Sequence, residues 1–486
     1  MGRGYRNMKL TNYNIAKNVH VYTQGKLQIA YDVNSGSLHV IDDKTYAFIQ
    51  ELITYQQKNS LEDSEEMLDS CGYNLSSEEK QEILVELKVL QDQKLLFSCE
   101  PEETILPFSD RPVIKAMCLH VAHDCNLRCK YCFAGTGPFG GNRELMNVKT
   151  GKKALKFLLD HSGDRGHCEV DFFGGEPLMN LPVIRELIVY GREIAAQAGK
   201  KIKFTLTTNA VLMDEETARF LEDEGISVVL SLDGRKEVND RMRPFLNGAG
   251  SYDRIMPQIL KFTEMRPETS RYAVGNYFYV RGTYTRFNKD FYKDVLHMAD
   301  SGIRRISVEP VVASPQEVYA FREEDLAEIK ESYDILGEKV LEYREAGKEF
   351  VFFHFNAGLD EGPCLIKRLS GCGAGHEYVA VSPEGDIYPC HQFVGQEKYK
   401  MGSVNDLNCE LKEEIVQSFR QAQVYTKEEC RVCWARFSCS GGCHAANEAF
   451  SGELTKVYPM GCELQKKRLE VAYYLKIMEA KQRVLI

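Results

Sequence analysis

The sequence predicts an α/β protein with a partial (β/α)6 barrel, a winged-helix-like module before it and a cysteine-rich extension after it. The barrel is predicted because six apolar runs rich in β-forming residues alternate with six amphipathic stretches between residues 115 and 346. Strand–helix units in series give a parallel sheet with helices outside it. The extension is predicted because nine of the 16 cysteines lie from Cys364 to Cys462. We expect three domains, at residues 1–98, 110–346 and 347–486.

Composition narrows the classes of partner that the chain can have. Its 486 residues carry a net charge of −10, which gives no overall basic surface for nucleic acid. No apolar run has the length of a membrane span, and no apolar signal-peptide segment follows the basic residues at the N-terminus. Disulfides are a poor explanation for so many cysteines in a reducing compartment, so metal clusters are the favoured explanation. We therefore expect a cytoplasmic protein that binds neither nucleic acid nor membrane.

The first hundred residues predict a small module of strands and helices. Apolar and polar residues alternate between 18 and 41, with a hairpin turn at 32–37, where Asn and Gly tolerate positive φ. Three helices follow, and Ser76-Ser77 with Glu78-Glu79 supply an N-terminal cap for the last. Two interpretations stay open: a cap that only completes the fold, or capture of an extended peptide along an exposed strand edge. The helices are predicted at about 43–57, 60–71 and 77–94.

The unusual residues of the barrel region follow its strands. Strands are predicted near 115–122, 168–173, 202–207, 227–232, 272–281 and 304–309, and helices near 149–160, 181–198, 214–223, 252–264, 288–300 and 323–346. The carboxyl ends of barrel strands form one face, which holds the active site, so the stretches at these ends should surround one site. They are the cysteines after strand one, Gly174 to Pro177, Thr207 to Asn209, Ser231 to Gly234, Arg281 to Tyr284, and Glu309-Pro310.

The loop after the first barrel strand carries Cys125, Cys129 and Cys132, spaced C-x3-C-x2-C. A tight loop with this spacing can turn three sulfurs onto one compact metal centre. Three protein ligands on a four-iron cluster leave one iron open, and an open metal position is where chemistry takes place. The alternatives are a zinc site with three cysteines and a chance cluster.

Two further stretches have the chemistry of a small-molecule site. The glycines of Gly174-Gly175-Glu176-Pro177 let a ligand approach the backbone, and Glu176 can accept a hydrogen bond from an ammonium group. Arg243, which follows the stretch at Ser231, is of the residue type best suited to hold a carboxylate through two bonds. Each stretch also has a plain interpretation as a turn, a strand end or a solvated charge.

The cysteine loop, the Gly-Gly-Glu-Pro motif and the Ser-Leu-Asp-Gly stretch followed by Arg243 resemble, in order and position, those of the radical SAM superfamily. The resemblance implies that the open iron chelates S-adenosylmethionine, which is cleaved reductively to methionine and a 5′-deoxyadenosyl radical. It also implies that the glycine motif holds the amino group of methionine, that Ser231 and Arg243 contact the ribose and the carboxylate, and that Tyr131 lies near the adenine. The expected cofactor-binding residues are Tyr131, Gly174, Gly175, Glu176, Pro177, Thr208, Asn209, Ser231 and Arg243, beside the catalytic Cys125, Cys129 and Cys132.

The cysteine pattern from Cys372 to Cys462 resembles the SPASM extension, which carries two auxiliary four-iron clusters. A zinc ribbon is the alternative for Cys430 and Cys433 taken alone. Cys364 is expected to complete the first cluster, since four thiolates are the usual shell; otherwise that iron is open to a substrate thiolate. We expect three [4Fe–4S] clusters in all. By the resemblance, Cys372, Cys390 and Cys443 hold the first auxiliary cluster, and Cys430, Cys433, Cys439 and Cys462 hold the second.

Almost the whole chain resembles SCIFF maturases, which install thioether crosslinks in a cysteine-rich peptide. The stretches that carry the resemblance are 31–42, 125–141 and 362–395. It implies that the N-terminal module binds the leader of a ribosomally synthesised precursor peptide, and that a substrate cysteine sulfur bonds to a carbon from which the radical has taken hydrogen. An auxiliary cluster then takes the remaining electron, and an external donor such as flavodoxin or ferredoxin supplies reducing electrons. Two other functions stay open: a sulfatase-type maturase and an iron–sulfur electron-transfer protein.

Overall fold

The structure is a computed structural model that describes residues 8, 10, 12–59, 64–99, 112–265, 278–356 and 369–484. Cys364 lies outside these ranges. So do the first residues of the fifth predicted barrel strand and of the second predicted helix.

A three-stranded antiparallel sheet and four helices form the N-terminal module. The sheet has the order β1-β2-β3, so that among the described residues β3 has a strand on one side only. The turn between β2 and β3 closes with a hydrogen bond from the Asp32 amide to the Ser37 carbonyl (3.0 Å), and Ser76 and Glu79 form a capping box, as predicted. The elements are α1 (Ile15–Asn18), β1 (Val19–Gln24), β2 (Leu27–Asp32), β3 (Leu38–Ile41), α2 (Asp43–Lys58), α3 (Ser64–Ser70) and α4 (Ser77–Asp92).

Six parallel strands in sequence order form the partial barrel, which confirms the predicted fold class. The strands are β4 (Ala116–Ala122), β5 (His167–Gly174), β6 (Lys201–Thr208), β7 (Ser227–Ser231), β8 (Phe278–Tyr284) and β9 (Arg305–Pro310). One short helix, α8 (Lys236–Met242), was not predicted. The others, α5 (Val148–Asp160), α6 (Leu181–Gln197), α7 (Glu215–Asp223), α9 (Tyr252–Met265), α10 (Tyr292–Asp300) and α11 (Leu326–Glu345), lie close to the predicted ranges.

Burial explains why these segments form a barrel. All seven residues of β4 are buried, as expected for a strand in the middle of a sheet. The helix that follows it, α5, buries Ala154, Leu155 and Leu158 and leaves its lysines outside. Strand and helix therefore share one apolar interior, and the polar ends of the strands are left to form a site.

The barrel sheet continues into the cysteine-rich part of the chain. β10 (Val351–Phe352) pairs in parallel with β9, and β11 (Tyr378–Val381) pairs in parallel with β4. The strands β12 (Asp386–Tyr388) and β13 (Gly402–Ser403) then extend the edge. The cysteine-rich part is thus attached to the barrel through main-chain hydrogen bonds. Its remaining elements are α12 (Glu413–Gln421), α13 (Glu428–Arg431), α14 (Arg436–Cys439), α15 (His444–Ser451) and α16 (Pro459–Val484).

The buried guanidinium of Arg436 joins the N-terminal module to the cysteine-rich part. Its side chain donates to the carbonyl of Lys17 (2.8 Å) and to the side-chain oxygens of Asn18 (2.7 Å) and Asn34 (3.0 Å). Arg436 is 1% exposed, so these acceptors meet the positive charge away from water. Removing one partner from such a buried contact is costly, so the contact fixes the module in place.

Aromatic contacts strengthen the same interface. Trp434 stacks on His20 of β1, with the ring centroids 3.9 Å apart. His20 also contacts a carboxylate oxygen of Glu470 in α16 (2.9 Å), and Tyr22 donates to the Glu470 carbonyl (3.0 Å). Tyr22 and Tyr31 belong to the main core of the protein.

In the described ranges, no helix combines the length and apolar character needed to cross a membrane.

Replacing Arg436 with alanine should loosen the N-terminal module and leave the barrel folded. The change removes the donor from three acceptors, at a cost of about 3 kcal/mol for a broken buried charge contact. Amide hydrogen exchange in β1 should become roughly a hundredfold faster, with exchange in β5 unchanged. Arg431→Ala, at an exposed neighbouring position, is the control. Unchanged exchange in β1 would show that this contact does not hold the module.

Candidate active site

One cleft at the carboxyl ends of the barrel strands brings together most of the residues predicted to bind a cofactor. Its walls come from the loop after β4, the glycines after β5, the ends of β6 and β7, and the residue that follows α8. Glu176 and Pro177 are buried next to it. The predicted residues that line the cleft are Cys125, Cys129, Tyr131, Cys132, Gly174, Gly175, Thr208, Asn209, Ser231 and Arg243.

The cysteine loop runs alongside the segment that carries Arg243. The Arg128 amide donates to the carbonyl of Pro244, and the Lys130 amide donates to the carbonyl of Met242, both at 2.8 Å. Because these two bonds flank Arg243, they place its side chain beside the cysteines. The bonds explain how a residue more than a hundred positions away along the chain reaches the loop.

The glycine motif fits against the backbone of the cysteine loop. Gly175 donates from its amide to the Ala122 carbonyl (2.7 Å), and Glu176 donates to the Asp124 carbonyl (2.8 Å). A Cβ atom on Gly174 would lie 2.1 Å from the Ala122 oxygen, and a Cβ on Gly175 would lie 2.1 Å from the Asp124 oxygen. Gly174 also has a φ of +126°. The two glycines are therefore required by the fold itself, whatever ligand approaches them.

The carboxylate of Glu176 is directed into the protein. One oxygen accepts hydrogen bonds from the Leu178 amide (3.0 Å) and the Thr208 hydroxyl (2.7 Å), and the other accepts from the Asn209 amide (2.8 Å). Burial raises the pKa of this carboxyl, and the hydrogen bonds oppose that shift. The side chain ties the end of β6 to the glycine motif, while the backbone of Gly174 and Gly175 borders the cleft.

Tyr131, Asp233 and Arg243 form a buried polar group in the cleft wall. The Tyr131 hydroxyl donates to Asp233 (2.8 Å) and accepts from Arg243 Nη1 (3.1 Å), and Asp233 also accepts from the Thr283 amide (3.0 Å). Burial raises the pKa of Asp233 to about 6, although the Arg243 charge opposes this. The sequence suggested no role for Asp233 itself. The residue could be noticed only because it belongs to the stretch that begins at Ser231.

Arg243 fits an anionic ligand. It is 7% exposed and lines the cleft, and its Nε has no hydrogen-bond partner among the described residues. A buried donor without a partner is costly, and a carboxylate in the cleft would supply the missing acceptor. This is the chemistry expected for the methionine end of S-adenosylmethionine.

The cysteine loop fits an iron–sulfur cluster. Burial raises the pKa of Cys125 to about 12 and that of Cys129 to about 11, so both thiols keep their protons at neutral pH unless a metal displaces them. The Leu127 amide already points at the Cys125 sulfur (3.4 Å), as in a site built for thiolate. No three His, Cys, Asp or Glu side chains in the described ranges converge on a single-ion position. The iron atoms of a cubane lie at separate corners, so its ligands stand further apart.

The first group of C-terminal cysteines contains Cys372, Cys390 and Cys443. Burial raises the pKa of Cys390, and the charges of Cys443 and Cys372 raise it further, so the three side chains lie within electrostatic range of one another. Cys390 follows β12 and Cys443 precedes α15, so the group joins the sheet extension to the helical part. Cys364, which lies outside the described residues, was expected to complete it.

The second group contains Cys430, Cys433, Cys439 and Cys462. Burial raises the pKa of Cys430 to about 12, with smaller contributions from the charges of Cys439, Cys462 and Cys433. Cys462 lies at the start of α16, so this group joins that helix to α13 and α14. The division of these cysteines into two cluster-binding groups stays a prediction.

The cleft also contains charged and aromatic residues to which the sequence analysis gave no role. Arg281 Nη2 donates to Glu309 (2.6 Å) across the ends of β8 and β9. His391 contacts the ring of Phe133, with centroids 5.5 Å apart, and both residues line the cleft. Arg281 and Glu309 had been placed on this face as strand ends. His391 gave no signal in the sequence beyond its position next to Cys390.

Comparison with protein families finds two domains in the chain. The profile described as the radical SAM superfamily matches residues 119–282. The SPASM profile, described as an iron–sulfur cluster-binding domain, matches residues 372–434. The first covers the cysteine loop, the glycine motif and Arg243, and the second covers Cys372, Cys390, Cys430 and Cys433.

Individual relatives match most of the chain at low identity. An uncharacterized protein of Archaeoglobus fulgidus is 28% identical over 365 residues, 73% of this chain and 80% of that protein. A cysteine-type anaerobic sulfatase-maturating enzyme of Clostridium perfringens is 25% identical over 355 residues, 70% and 90% of the two chains. The solved structure of native anSMEcpe with bound AdoMet and Kp18Cys peptide has a TM-score of 0.61 and 20% identity, covering 76% of this chain and 99% of the other. This last likeness shows a common fold.

The buried carboxyl of Asp233 should make the metal-free protein less stable as the pH rises. Its pKa of about 6 in the fold lies above the 3.8 of an ordinary Asp, so its stabilising contribution is full below about pH 4 and is lost as the pH rises through 6. A shift of about two units corresponds to roughly 3 kcal/mol. The melting temperature of Asp233→Asn should therefore rise relative to wild type between about pH 4 and pH 7.

Asp214→Asn is the matched control. The Thr217 amide donates to Asp214 and lowers its pKa, so the stabilisation from this carboxylate is already present above about pH 4, and the melting-temperature difference of this variant should stay nearly constant between pH 4 and pH 7. A melting-temperature difference for Asp233→Asn that is the same at both pH values would contradict the raised pKa.

Proposed function

We propose that this radical SAM enzyme, which carries a SPASM domain, forms thioether crosslinks in a ribosomally synthesised, cysteine-rich precursor peptide, as SCIFF maturases do. The observation that carries the proposal is the presence of two sites in one chain. A cleft gathers the residues expected to bind S-adenosylmethionine, and an N-terminal module with a free strand edge is joined to the SPASM domain by Arg436. The setting would be the reducing cytoplasm.

The three cysteines of the loop would hold the first cluster. S-adenosylmethionine bound at a reduced cluster supplies a carbon-centred radical that can remove hydrogen from an unactivated carbon. Cys125, Cys129 and Cys132 would bind three irons and leave the fourth open. The partial burial of these three cysteines would limit the access of water and oxygen to the cluster, since protein shells control access to such cofactors.

The cleft wall would hold S-adenosylmethionine itself. Arg243 would bind the carboxylate through its buried Nε. The backbone of Gly174 and Gly175 would face the amino group, and Ser231 would contact the ribose. Tyr131, held at its hydroxyl by Asp233, would present its ring to the adenine.

The two C-terminal groups of cysteines would hold two auxiliary [4Fe–4S] clusters, for three clusters in all. Crosslinking a thiol to a carbon leaves one electron and one proton over once the radical has taken a hydrogen atom. The electron would pass to an oxidised auxiliary cluster. A flavodoxin-type or ferredoxin-type protein would deliver the electron that starts the reaction. Cys364 would complete the first auxiliary site, or a substrate thiolate would take that position.

The edge of β3 would bind the leader of the precursor peptide as an added strand. Within the part of the chain that the structure describes, β3 pairs with β2 only, and α4 ends beside it, where His39 of β3 contacts the Leu95 carbonyl (3.0 Å). Both elements carry exposed apolar side chains: Val40 of β3 is 46% exposed and Val89 of α4 is 49% exposed. We call β3 with Val40, Val89 and Leu95 the peptide edge. An edge strand with apolar neighbours supplies main-chain hydrogen bonds and side-chain pockets together.

A sulfatase-type maturase, which oxidises one Cys or Ser without a crosslink, is the second candidate. The similarity to the Clostridium perfringens enzyme favours it, and so does the fold shared with anSMEcpe. The peptide edge favours the crosslinking function, since a dedicated recognition module suits a short precursor peptide. A simple electron-transfer protein is disfavoured, because electron transfer alone does not require an arginine such as Arg243 that is placed to bind an anionic ligand in the cleft.

Incubation of the reconstituted protein with dithionite, S-adenosylmethionine and a candidate cysteine-rich peptide separates these functions. A thioether removes two hydrogen atoms from the peptide and blocks alkylation of the thiol. A formylglycine product forms an aldehyde adduct instead. Release of methionine and 5′-deoxyadenosine with neither product would contradict both peptide functions, and no release at all would support an electron carrier.

Cys129→Ala should abolish cleavage of S-adenosylmethionine, because two remaining thiolates cannot hold the loop cluster in place. Release of 5′-deoxyadenosine under reducing, anaerobic conditions measures the effect. Cys99→Ala removes an exposed cysteine outside every predicted group and serves as the control. Cleavage by purified Cys129→Ala at the wild-type rate would refute the assignment.

A charge at the peptide edge should weaken peptide binding without affecting the cleft. Val40→Asp or Val89→Asp should lower the affinity for a fluorescent leader peptide at least tenfold, since burying a valine contributes roughly 1.5 kcal/mol or more. Basal cleavage of S-adenosylmethionine should be unchanged. Val189→Asp, at a 66% exposed site on α6, is the matched control. Fluorescence anisotropy that gives equal affinities for all variants would remove the recognition role.

Point substitutions are preferable to deleting residues 1–98. Tyr22, Ile29, Tyr31 and Val33 of the module belong to the main hydrophobic core. Their removal would expose the core, and a loss of binding could then reflect unfolding.

A further inference from the structure

Among the described residues of the SPASM domain, one lysine is completely buried. Lys427 has 0% exposure and precedes α13. Its ammonium group donates to the Gly441 carbonyl (2.7 Å). An ammonium has three donors, and no carboxylate of the described residues forms an ion pair with it. A buried charge with so little compensation is unstable unless other negative groups are close.

The carbonyl that accepts from the Lys427 ammonium lies between the two groups of cysteines, because Gly441 stands between Cys439 of the second group and Cys443 of the first. Burial lowers the pKa of Lys427, and the charges of four thiolates oppose this effect. Three of these sulfurs, Cys430, Cys439 and Cys462, belong to the second C-terminal group. The fourth, Cys443, belongs to the first group. The ammonium therefore lies between the two predicted auxiliary sites and within the electrostatic reach of both.

The contact requires a special backbone at Gly441. Its φ is +83°, and a Cβ atom there would lie 3.0 Å from Lys427 Nζ. A glycine at this position lets the carbonyl and the ammonium approach each other. Free thiols would be neutral and would leave the lysine uncompensated. Iron binding converts them to thiolates, so the lysine and the clusters stabilise one another.

We propose that Lys427 is a buried counter-charge shared by the two auxiliary clusters and that it raises their reduction potentials. The inference rests on the ligand groups assigned under the proposed function, and it does not depend on the identity of the peptide. Reduction adds one negative charge to a cluster, and a nearby positive charge stabilises that state. The second auxiliary cluster should feel the larger effect, since the Lys427 carbonyl accepts a hydrogen bond from the amide of Cys430, a predicted ligand of that cluster (3.0 Å).

This role has a consequence for the direction of electron flow. A positive charge between two clusters makes each a better acceptor for the electron left after crosslinking. It also offsets the negative charge of the thiolate ligands, which would otherwise repel that electron as it passes from one cluster to the other. Lys427 is thus a positioning residue for charge, and it touches no substrate.

The test is a redox titration of the full-length chain, followed by EPR. Substituting alanine for Cys125, Cys129 and Cys132 removes the loop cluster, so that the signals come from the SPASM domain. In this background Lys427→Gln removes the charge and keeps a donor for the Gly441 carbonyl, whereas Lys427→Arg keeps the charge. Lys456→Gln is the control: its side chain is 60% exposed and pairs with Glu453, so water screens its charge.

Lys427→Gln should shift both auxiliary potentials to more negative values, with the larger shift at the second cluster. Lys427→Arg and Lys456→Gln should leave them close to those of the parent. Loss of iron in Lys427→Gln with full iron content in Lys427→Arg would also support the proposal, because the arginine variant keeps the positive charge and the glutamine variant does not. Unchanged potentials in Lys427→Gln would overturn it, and so would equal loss of iron in both variants, which would indicate a packing role.

Discussion

The site depends on the close main-chain contact between the glycine motif and the loop after β4. Hydrogen bonds from Gly175 and Glu176 to the carbonyls of Ala122 and Asp124 hold the start of the cysteine loop against the end of β5. Any side chain at Gly174 or Gly175 would collide with those carbonyls. The buried carboxylate of Glu176 then anchors the end of β6 to the same point. Three strand ends and three cysteines are therefore placed by one small set of backbone contacts.

A second constraint connects the distant parts of the chain. Arg436 lies between Cys433 and Cys439 in sequence, and its side chain binds Lys17 and Asn18 at the end of α1, directly before the strand β1. Trp434 stacks on His20 of that strand. The module that would recognise a peptide and the loop that would hold an auxiliary cluster are thus packed together through buried charge and aromatic contacts. Any movement of one requires a rearrangement of the other.

The sequence predicted the barrel and the cleft well because their signals are local. Hydrophobic periodicity identified the six strand–helix units, and strand ends on one face identified Cys125, Gly174, Ser231 and their neighbours as one site. The short helix α8 was missed because seven residues carry too little periodicity. The inward direction of the Glu176 carboxylate could not be foreseen either, since it depends on Thr208 and Asn209 from the next strand.

Residues whose role depends on long-range packing gave no signal. Arg436 and Lys427 look like ordinary charged residues in a charged stretch, and only the fold shows that both are buried. Asp233 and the Arg281–Glu309 pair were visible as strand ends, but their contacts join separate strands. Sequence patterns locate elements and motifs, whereas the compensation of buried charge becomes visible only when distant segments are brought together.

The proposed function depends on the loop of Cys125, Cys129 and Cys132, which would hold a cluster with one iron open to S-adenosylmethionine. EPR of the reduced, reconstituted protein with and without S-adenosylmethionine tests it most directly. S-adenosylmethionine should change the EPR signal of one cluster. This change should be absent when the three cysteines are replaced by alanine. Identical spectra with and without S-adenosylmethionine in the intact protein would contradict it.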